Sequence, residues 1–216
     1  SIGNMYKVED KNYIQFMAWQ IRDGGHWRGD IGRLFINNKL DSIKLSPKEA
    51  FLSCDREDEV SLSYSWVMYD ECIYKMWYGS TIDWTSENTE MIHVIKYATS
   101  IDGESWKKHG LAIPYELGVA QAFSRPTVIK DTQGYHMWFS YRSGDGTKYR
   151  IGYAHSIDGI SWNRKKDSGI DVSKEGWDSE MICYPFVFDH KDKTYMLYNG
   201  NSYGKDGFGL AIKEDD

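Results

Sequence analysis

The sequence predicts an all-β chain of repeated four-stranded antiparallel units arranged as a propeller, and three observations carry that prediction. First, one stretch is written twice, Ile95 to Trp106 (IKYATSIDGESW) and Ile151 to Trp162 (IGYAHSIDGISW). The copies lie 56 residues apart, the length of one four-stranded unit with its loops, and a period of that size marks a repeat array. Second, the 216 residues include 9 Trp and 16 Tyr but only 4 Pro; aromatic side chains suit a pleated, half-buried surface better than a helix. Third, no segment keeps a period of 3.6 over ten or more residues, which argues against long helices. Radial packing of such units covers both faces of each sheet and protects the edges. A two-sheet sandwich is the alternative, but it does not explain why one motif recurs in the later strands of successive units.

In chain order, the first unit reads as two or three strands between Tyr6 and Leu52: Tyr13–Trp19, a polar loop through Gly24–Asp30, then Ile31–Ile36. That loop is long for a hairpin and mixes charged with aromatic residues, as ligand-facing loops do. The second unit starts near Val60, with Ser61–Tyr69 and Tyr74–Gly79 as strands, and runs through the first Ser-Ile-Asp-Gly turn to about Pro114. The third has Arg125–Ile129, Tyr135–Arg142, a loop at Ser143–Gly146, and the second repeat copy ending at Trp162. The fourth has Tyr184–Phe188, Thr194–Gly200 and Phe208–Ile212, with no Asp-Gly-x-x-Trp turn after it. Asp102-Gly103 and Asp158-Gly159 predict equivalent tight turns, because Gly takes the positive φ and Asp bonds its own backbone. The approximate units are 1–54, 55–116, 117–174 and 175–216, within one domain.

A formal net charge of −6 and a pI near 5.5, without a long Lys or Arg cluster, argue against a nucleic-acid partner and for a neutral or mildly charged ligand. Cys54, Cys72 and Cys183 are odd in number and lack C-x-x-C spacing, so they read as small core residues rather than as a disulfide framework or a zinc site. His93, His109, His136, His155 and His190 fall in separate strands or turns, so neither a metal nor another cofactor is expected. No nucleophile-elbow motif supports a Ser-His-Asp triad. No run approaches the ~20 apolar residues of a membrane helix, so membrane insertion is not expected. The chain opens on Ser1-Ile2-Gly3-Asn4 without Met, from which an upstream portion is expected.

The unit "inner strand, Tyr-x-Met-Trp-Tyr, Ile-x-Tyr-Ala-x-Ser-x-Asp-Gly-x-x-Trp" resembles the blades of the five-bladed β-propeller glycosidases, the fold shared by glycoside hydrolase families 32, 43, 68 and 130. The sequence is particularly similar to uncharacterised propeller proteins encoded with bacterial polysaccharide and lipopolysaccharide biosynthesis enzymes. The most specific part is Trp177-Asp178-Ser179-Glu180-Met181-Ile182-Cys183-Tyr184-Pro185, with Tyr198 to Gly204 and Gly207-Phe208-Gly209. The resemblance covers essentially the whole chain and implies five blades, of which four are visible. One blade is expected to be missing on the N-terminal side or supplied by another chain, a homo-oligomer included. In the glycosidases that blade carries the base or nucleophile. Such a fold hosts hydrolases, transferases, phosphorylases and inactive relatives, so it does not fix a function.

In such propellers the residues just before each inner strand face the central cavity. Glycoside hydrolysis needs two carboxyl groups across the scissile bond. Glu180 is the candidate acid, with Asp178 beside it raising its pKa by like-charge repulsion; the alternative is a pair of solvated loop carboxylates. Arg125 is placed to meet a sugar carboxylate, phosphate or hydroxyl, or else to bridge blades by an ion pair with Glu180 or Asp178. In the acidic run from Asp55, only Glu59 or Asp55 is a candidate. His26, Trp27, Arg28 and Asp30 form a polar and aromatic loop suited to a sugar, with Trp66, Trp84 and Tyr203 as further stacking surfaces. Trp77, Trp106, Trp138 and Trp162 recur in the repeat and read as wedges between blades. Glu180, Asp178 and Arg125 are expected to converge on one pocket with His26 or Trp27. The leading expectation is a glycosidase-like protein binding a glycan in its central funnel; a non-catalytic glycan-binding or scaffold domain is the alternative. Three acids in the funnel would favour the enzyme, and Arg and aromatics with a single carboxylate the binder.

Overall fold

The computed structural model describes residues 2–45, 50–144 and 146–214. They form a β-propeller of four antiparallel sheets in which consecutive strands are always neighbours. The first blade holds β1 (Ile2–Val8), β2 (Lys11–Ile21), β3 (Trp27–Ile36) and β4 (Ile43–Leu45). The second holds β5 (Ser61–Asp70), β6 (Ile73–Asp83), β7 (Ile92–Ser100) and β8 (Lys107–Leu111). The third holds β9 (Ser124–Asp131), β10 (Gly134–Tyr141), β11 (Arg150–Ser156) and β12 (Asn163–Lys165). The fourth has three strands, β13 (Cys183–His190), β14 (Lys193–Asn199) and β15 (Phe208–Ile212). Between β14 and β15 runs a single helical turn, Asn201–Gly204, in which Ser202 and Tyr203 are left-handed (φ 54° and 61°).

One rung recurs in three blades. Val67, Met76 and Ala98 lie side by side across β5–β6–β7, Val128, Met137 and Ala154 across β9–β10–β11, and Val187, Met196 and Ala211 across β13–β14–β15. The first two rungs are almost wholly buried, so the pleat that turns them inward fixes the register: a one-residue slip would send the whole row to the opposite face. Blade one replaces the rung with polar contacts. Asn4 donates to Val67 O (2.7 Å) and accepts from Val67 N (2.8 Å), and buried Gln15 accepts from Ser65 Oγ.

Apolar cores lie between the blades. Tyr6, Tyr13, Ile31, Leu62 and Met76 fill the first interface, Trp77, Phe123, Tyr135, Phe139 and Trp162 the second, and Ile151, Ile182, Val187 and Met196 the third. The two Asp-Gly turns are superposable in their bonding. Asp102 Oδ1 accepts from Glu104 N and Ser105 N, Asp158 Oδ1 from Ile160 N and Ser161 N, all at 2.8 Å. Gly103 and Gly159 have φ of 71° and 73°. The free faces of the outer blades are apolar and open, with Phe186 41%, Phe208 71% and Leu210 56% exposed on blade four and Met5 51% exposed on blade one.

Two expectations are corrected here. The stretch Gly24–Asp30 is not one loop: β3 already begins at Trp27, with Trp27 opposite Ile21 and Arg28 opposite Gln20. Strand alternation therefore sends Trp27 and Arg28 to opposite faces. Of the cysteines, Cys183 is buried, Cys54 half-buried and Cys72 exposed. Cys72 sits with positive φ in the turn between β5 and β6, where no core exists for it to join.

Candidate functional site

Three of the inner strands carry a β-bulge residue with positive φ three positions before the recurrent valine: Tyr64 (24°), Arg125 (50°) and Tyr184 (60°). A bulge leaves one residue unpaired and re-aims its side chain. These three side chains, from three different blades, meet one another. The Arg125 guanidinium lies 4.9 Å from the Tyr64 ring centre and 4.7 Å from that of Tyr184, and the two rings are 6.2 Å apart.

Beside this cluster opens a cleft of about 360 Å³ to which all four blades contribute. Met17, Trp19 and Trp27 come from blade one, Tyr64, Met91 and His93 from blade two, Ser124, Arg142 and Tyr149 from blade three, and Tyr184 and Tyr203 from blade four. One wall is Trp27, whose ring stands edge-on to Trp84 (4.8 Å) and to His93 (5.8 Å). The facing wall is a tyrosine cluster, with Tyr149, Tyr184 and Tyr203 mutually 6.0–6.1 Å apart. Burial raises the pKa of Tyr149 and Tyr184, which keeps their phenols neutral. The hydroxyls of Tyr64, Tyr149, Tyr184 and Tyr203 have no protein hydrogen-bond partner among the described residues and are not sealed from solvent, so they are open to a ligand.

His93 is held inside blade two, with Ser63 Oγ 2.6 Å from its Nε2 and Thr81 Oγ1 2.7 Å from its Nδ1. Burial, seconded by the nearby Arg142 charge, pushes its pKa down to about 3. The ring is thus uncharged at neutral pH, one nitrogen donating and the other accepting. Gly79 makes room for this pair: a Cβ there would come 2.2 Å from Ser63 Oγ and 2.6 Å from His93 Nε2. Arg142 is neutralised by Glu90, with Nη2 donating to Oε1 at 3.0 Å and Nε 2.8 Å from Oε2. Gln121 fixes the loop that carries Glu90 and Met91, through Asn88 (2.6 Å) and Ser86 (3.1 Å). Glu90 is the one carboxylate paired with a cleft-lining residue among those described.

Of the sequence-predicted residues, Trp27 and Tyr203 line the cleft. His26 is exposed, stacked flat on Trp84 at 4.9 Å. Arg28 is half-buried on the other face of β3, its Nε buried without a partner. Trp66 packs on Phe186 at 5.4 Å and, with Arg125, lines a separate small hollow. Glu59 is exposed, away from the cleft. The expected convergence of Glu180, Asp178 and Arg125 on one pocket does not hold. Asp178 is buried and accepts a hydrogen bond from Tyr198 (3.0 Å). Glu180 is exposed, ion-paired with Lys148, in a groove that adjoins the cleft at Arg142. The physical reason is the bulge: the axis-facing residue is the second of β13, Tyr184, whereas residues 178–182 still lie outside it. The same offset replaces Asp55 and Glu59 by Tyr64 in blade two.

The fold is similar to that of solved glycoside hydrolase propellers. The chain superposes on a glycoside hydrolase with a TM-score of 0.76 at 14% identity, covering 98% of this chain and 65% of the other. It superposes on sucrose-6-phosphate hydrolase from Lactobacillus gasseri with a TM-score of 0.73 at 13% identity, covering 99% and 45%. The chain thus spans less than two thirds of these proteins, and at such identities the likeness is one of fold. No protein-family model matches the sequence. The chain belongs to the family of the uncharacterised proteins MT1551 and Rv1502 of Mycobacterium tuberculosis, being 40% identical to each over 217 aligned positions that span 100% of this chain and 71% of theirs.

Proposed function

We propose that the chain binds a carbohydrate in the central cleft. The observation that carries this reading is the lining: Trp19, Trp27 and four tyrosines with free hydroxyls surround one neutralised Arg142–Glu90 pair. Aromatic faces take the C–H faces of a sugar ring, and phenol and guanidinium donors take its hydroxyls. A cleft with Arg, aromatics and a single nearby carboxylate suits binding better than hydrolysis, which needs two carboxyl groups across the bond. A role beside polysaccharide-assembly enzymes is part of the same reading.

Hydrolysis is the second reading, favoured by the likeness to glycoside hydrolase folds. In it Glu180 acts as acid on a substrate that extends from the cleft past Arg142, Asp178 supports it, and the partner carboxylate comes from a fifth blade. Two observations support five blades: the apolar, exposed outer faces of blades one and four, and relatives longer than the matched stretch. Calorimetric titration of an oligosaccharide panel into the full chain and into Trp27→Ala tests binding, with a loss of about 30-fold expected if Trp27 is a stacking anchor worth about 2 kcal/mol. Unchanged affinity in Trp27→Ala would remove the cleft from the reading. Product release by the full chain that disappears in Glu180→Gln would replace the binding reading with the hydrolytic one.

A further inference from the structure

Arg125 is the charged member of the three bulge residues. It sits in the left-handed region at φ 50°, a conformation that costs a non-glycine residue of order 1 kcal/mol and persists only where the surroundings hold it. Its guanidinium lies in the corner between the Tyr64 and Tyr184 rings, so its flat faces have aromatic neighbours and its edge is where donors remain. Among the described residues no carboxylate lies within ion-pair distance and no protein acceptor takes its N–H groups; its Nε is buried and unpartnered, while its Nη groups are not sealed off. The contrast lies in the carboxylate: Arg142 is ion-paired with Glu90 and Arg33 is doubly bonded to Glu104 at 3.0 and 2.7 Å. Arg125 is thus a cation on a strained backbone at the junction of three blades, without a carboxylate partner among the described residues.

We propose that Arg125 recognises an oxyanion, so that the ligand of the cleft is an acidic sugar bearing a carboxylate or a phosphate. This rests on the carbohydrate reading of the cleft and narrows it to a chemical class. The fork of guanidinium donors matches both groups bidentately; Arg125 itself lines the small hollow that shares Tyr64 with the cleft, so the anionic group of a cleft-bound sugar would reach past Tyr64 into that hollow. The unpaired positive charge also explains how an acidic protein can take an acidic ligand: the attraction is local and protected from salt by partial burial.

The test titrates glucose, glucuronic acid, glucose 1-phosphate and inorganic phosphate into wild type, Arg125→Lys and Arg125→Met, with melting curves for each. Charge-assisted hydrogen bonds predict that at least one acidic sugar binds about 10- to 100-fold more tightly than glucose. That preference should vanish in Arg125→Met and be partly kept in Arg125→Lys, which retains the charge without the fork and serves as the folded control. Glucuronic acid against glucose 1-phosphate decides between carboxylate and phosphate. Glucose binding as tightly as both acids, or Arg125→Met keeping the acid preference, overturns the proposal while leaving the carbohydrate reading intact. Arg125-dependent binding of phosphate with no gain from the sugar supports the anion site and overturns the carbohydrate reading instead.

Discussion

Mild acid should destabilise the protein through one buried imidazole. His93 has no exposed surface to speak of and a folded-state pKa of about 3, against an ordinary value near 6.5. The unfolded chain therefore takes up a proton at this residue as pH falls below about 6.5, while the folded chain does not until about 3. The stabilisation is complete above 6.5 and declines through the interval between the two values. At pH 5 the gap from 6.5 is 1.5 units, and at about 1.36 kcal/mol per unit the loss is about 2 kcal/mol. For a chain of this size that lowers the melting midpoint by roughly 4–8 °C. Other groups confuse the picture little in this window, since carboxylates titrate lower; His109, also depressed by partial burial, adds in the same direction. The assay is thermal and urea unfolding at pH 7.5 and pH 5.0 for wild type and His93→Gln. The variant is less stable at both values, having lost the Ser63 and Thr81 bonds, but its loss on going to pH 5.0 should be about 2 kcal/mol smaller. An equal pH dependence in the two proteins would refute the assignment of the buried, neutral ring.

Asp58, with its side chain fully buried, is 2.8 Å from Lys96, accepts from Ser80 (2.6 Å) and Tyr78 (3.0 Å), and also pairs with Lys108. Asp58→Asn should cost about 3 kcal/mol, the low end for breaking a buried ion pair because Lys108 keeps Asp55 (2.7 Å) and Lys96 keeps the Glu57 carbonyl, read as a midpoint drop of roughly 6–12 °C. Burial works to raise the Asp58 pKa, but hydrogen bonds from Lys108, Lys96 and Ser80 outweigh it and hold the carboxyl below its usual range. Its contribution is thus full above about pH 4 and lost as pH falls through the lowered value, so the acid limb of wild type should be steeper there than that of the variant. Gly79→Ala should cost about 1–3 kcal/mol by overpacking, and its diagnostic is a shifted His93 imidazole resonance. Gly103→Ala and Gly159→Ala should each lose about 1 kcal/mol or more from the left-handed backbone, with Gly103→Ala worse in chemical denaturation because its Cβ would meet Val8 at 2.6 Å, against 3.3 Å from Tyr135 at Gly159.

The blades are legible because their determinants are local. The Ser-x-Asp-Gly turns predict their own bonding, and the aromatic and methionine pattern of the second strands marks β6, β10 and β14. The first blade is harder to read: β1 buries Asn4 against Val67 instead of an apolar rung, and β4 is only three residues, Ile43–Leu45. The cleft is only half legible. Trp27 and Tyr203 stand out as non-repeating aromatics, but a bulge is invisible to alternation, and the expectation that residues just before each inner strand face the cavity points instead to Asp178 and Glu180. A signal exists nonetheless. Tyr64, Arg125 and Tyr184 each precede a recurrent valine by three, and His93 and Tyr149 precede Ala98 and Ala154 by five. Aligning the units on the valine–methionine–alanine rung brings these functional candidates into register.

Among the described residues the apolar core of blade four lies on its blade-three flank, at Ile151, Ile182, Val187 and Met196, while its other face meets blade two at Trp66–Phe186 and is otherwise open. In an array whose units touch only their neighbours, stability is a sum of unit and interface terms, so an end unit with its core on one flank opens before the rest. Amide exchange in β13 and β14 then reports detachment of that blade, while β6 and β7, covered on both sides, exchange by global unfolding. Tyr184 and Tyr203 travel with blade four, so the cleft is complete only while the blade is docked. Whatever fills the cleft must hold that blade down, and slowed exchange in β13 and β14 becomes a screen that responds to the natural ligand whatever its chemistry.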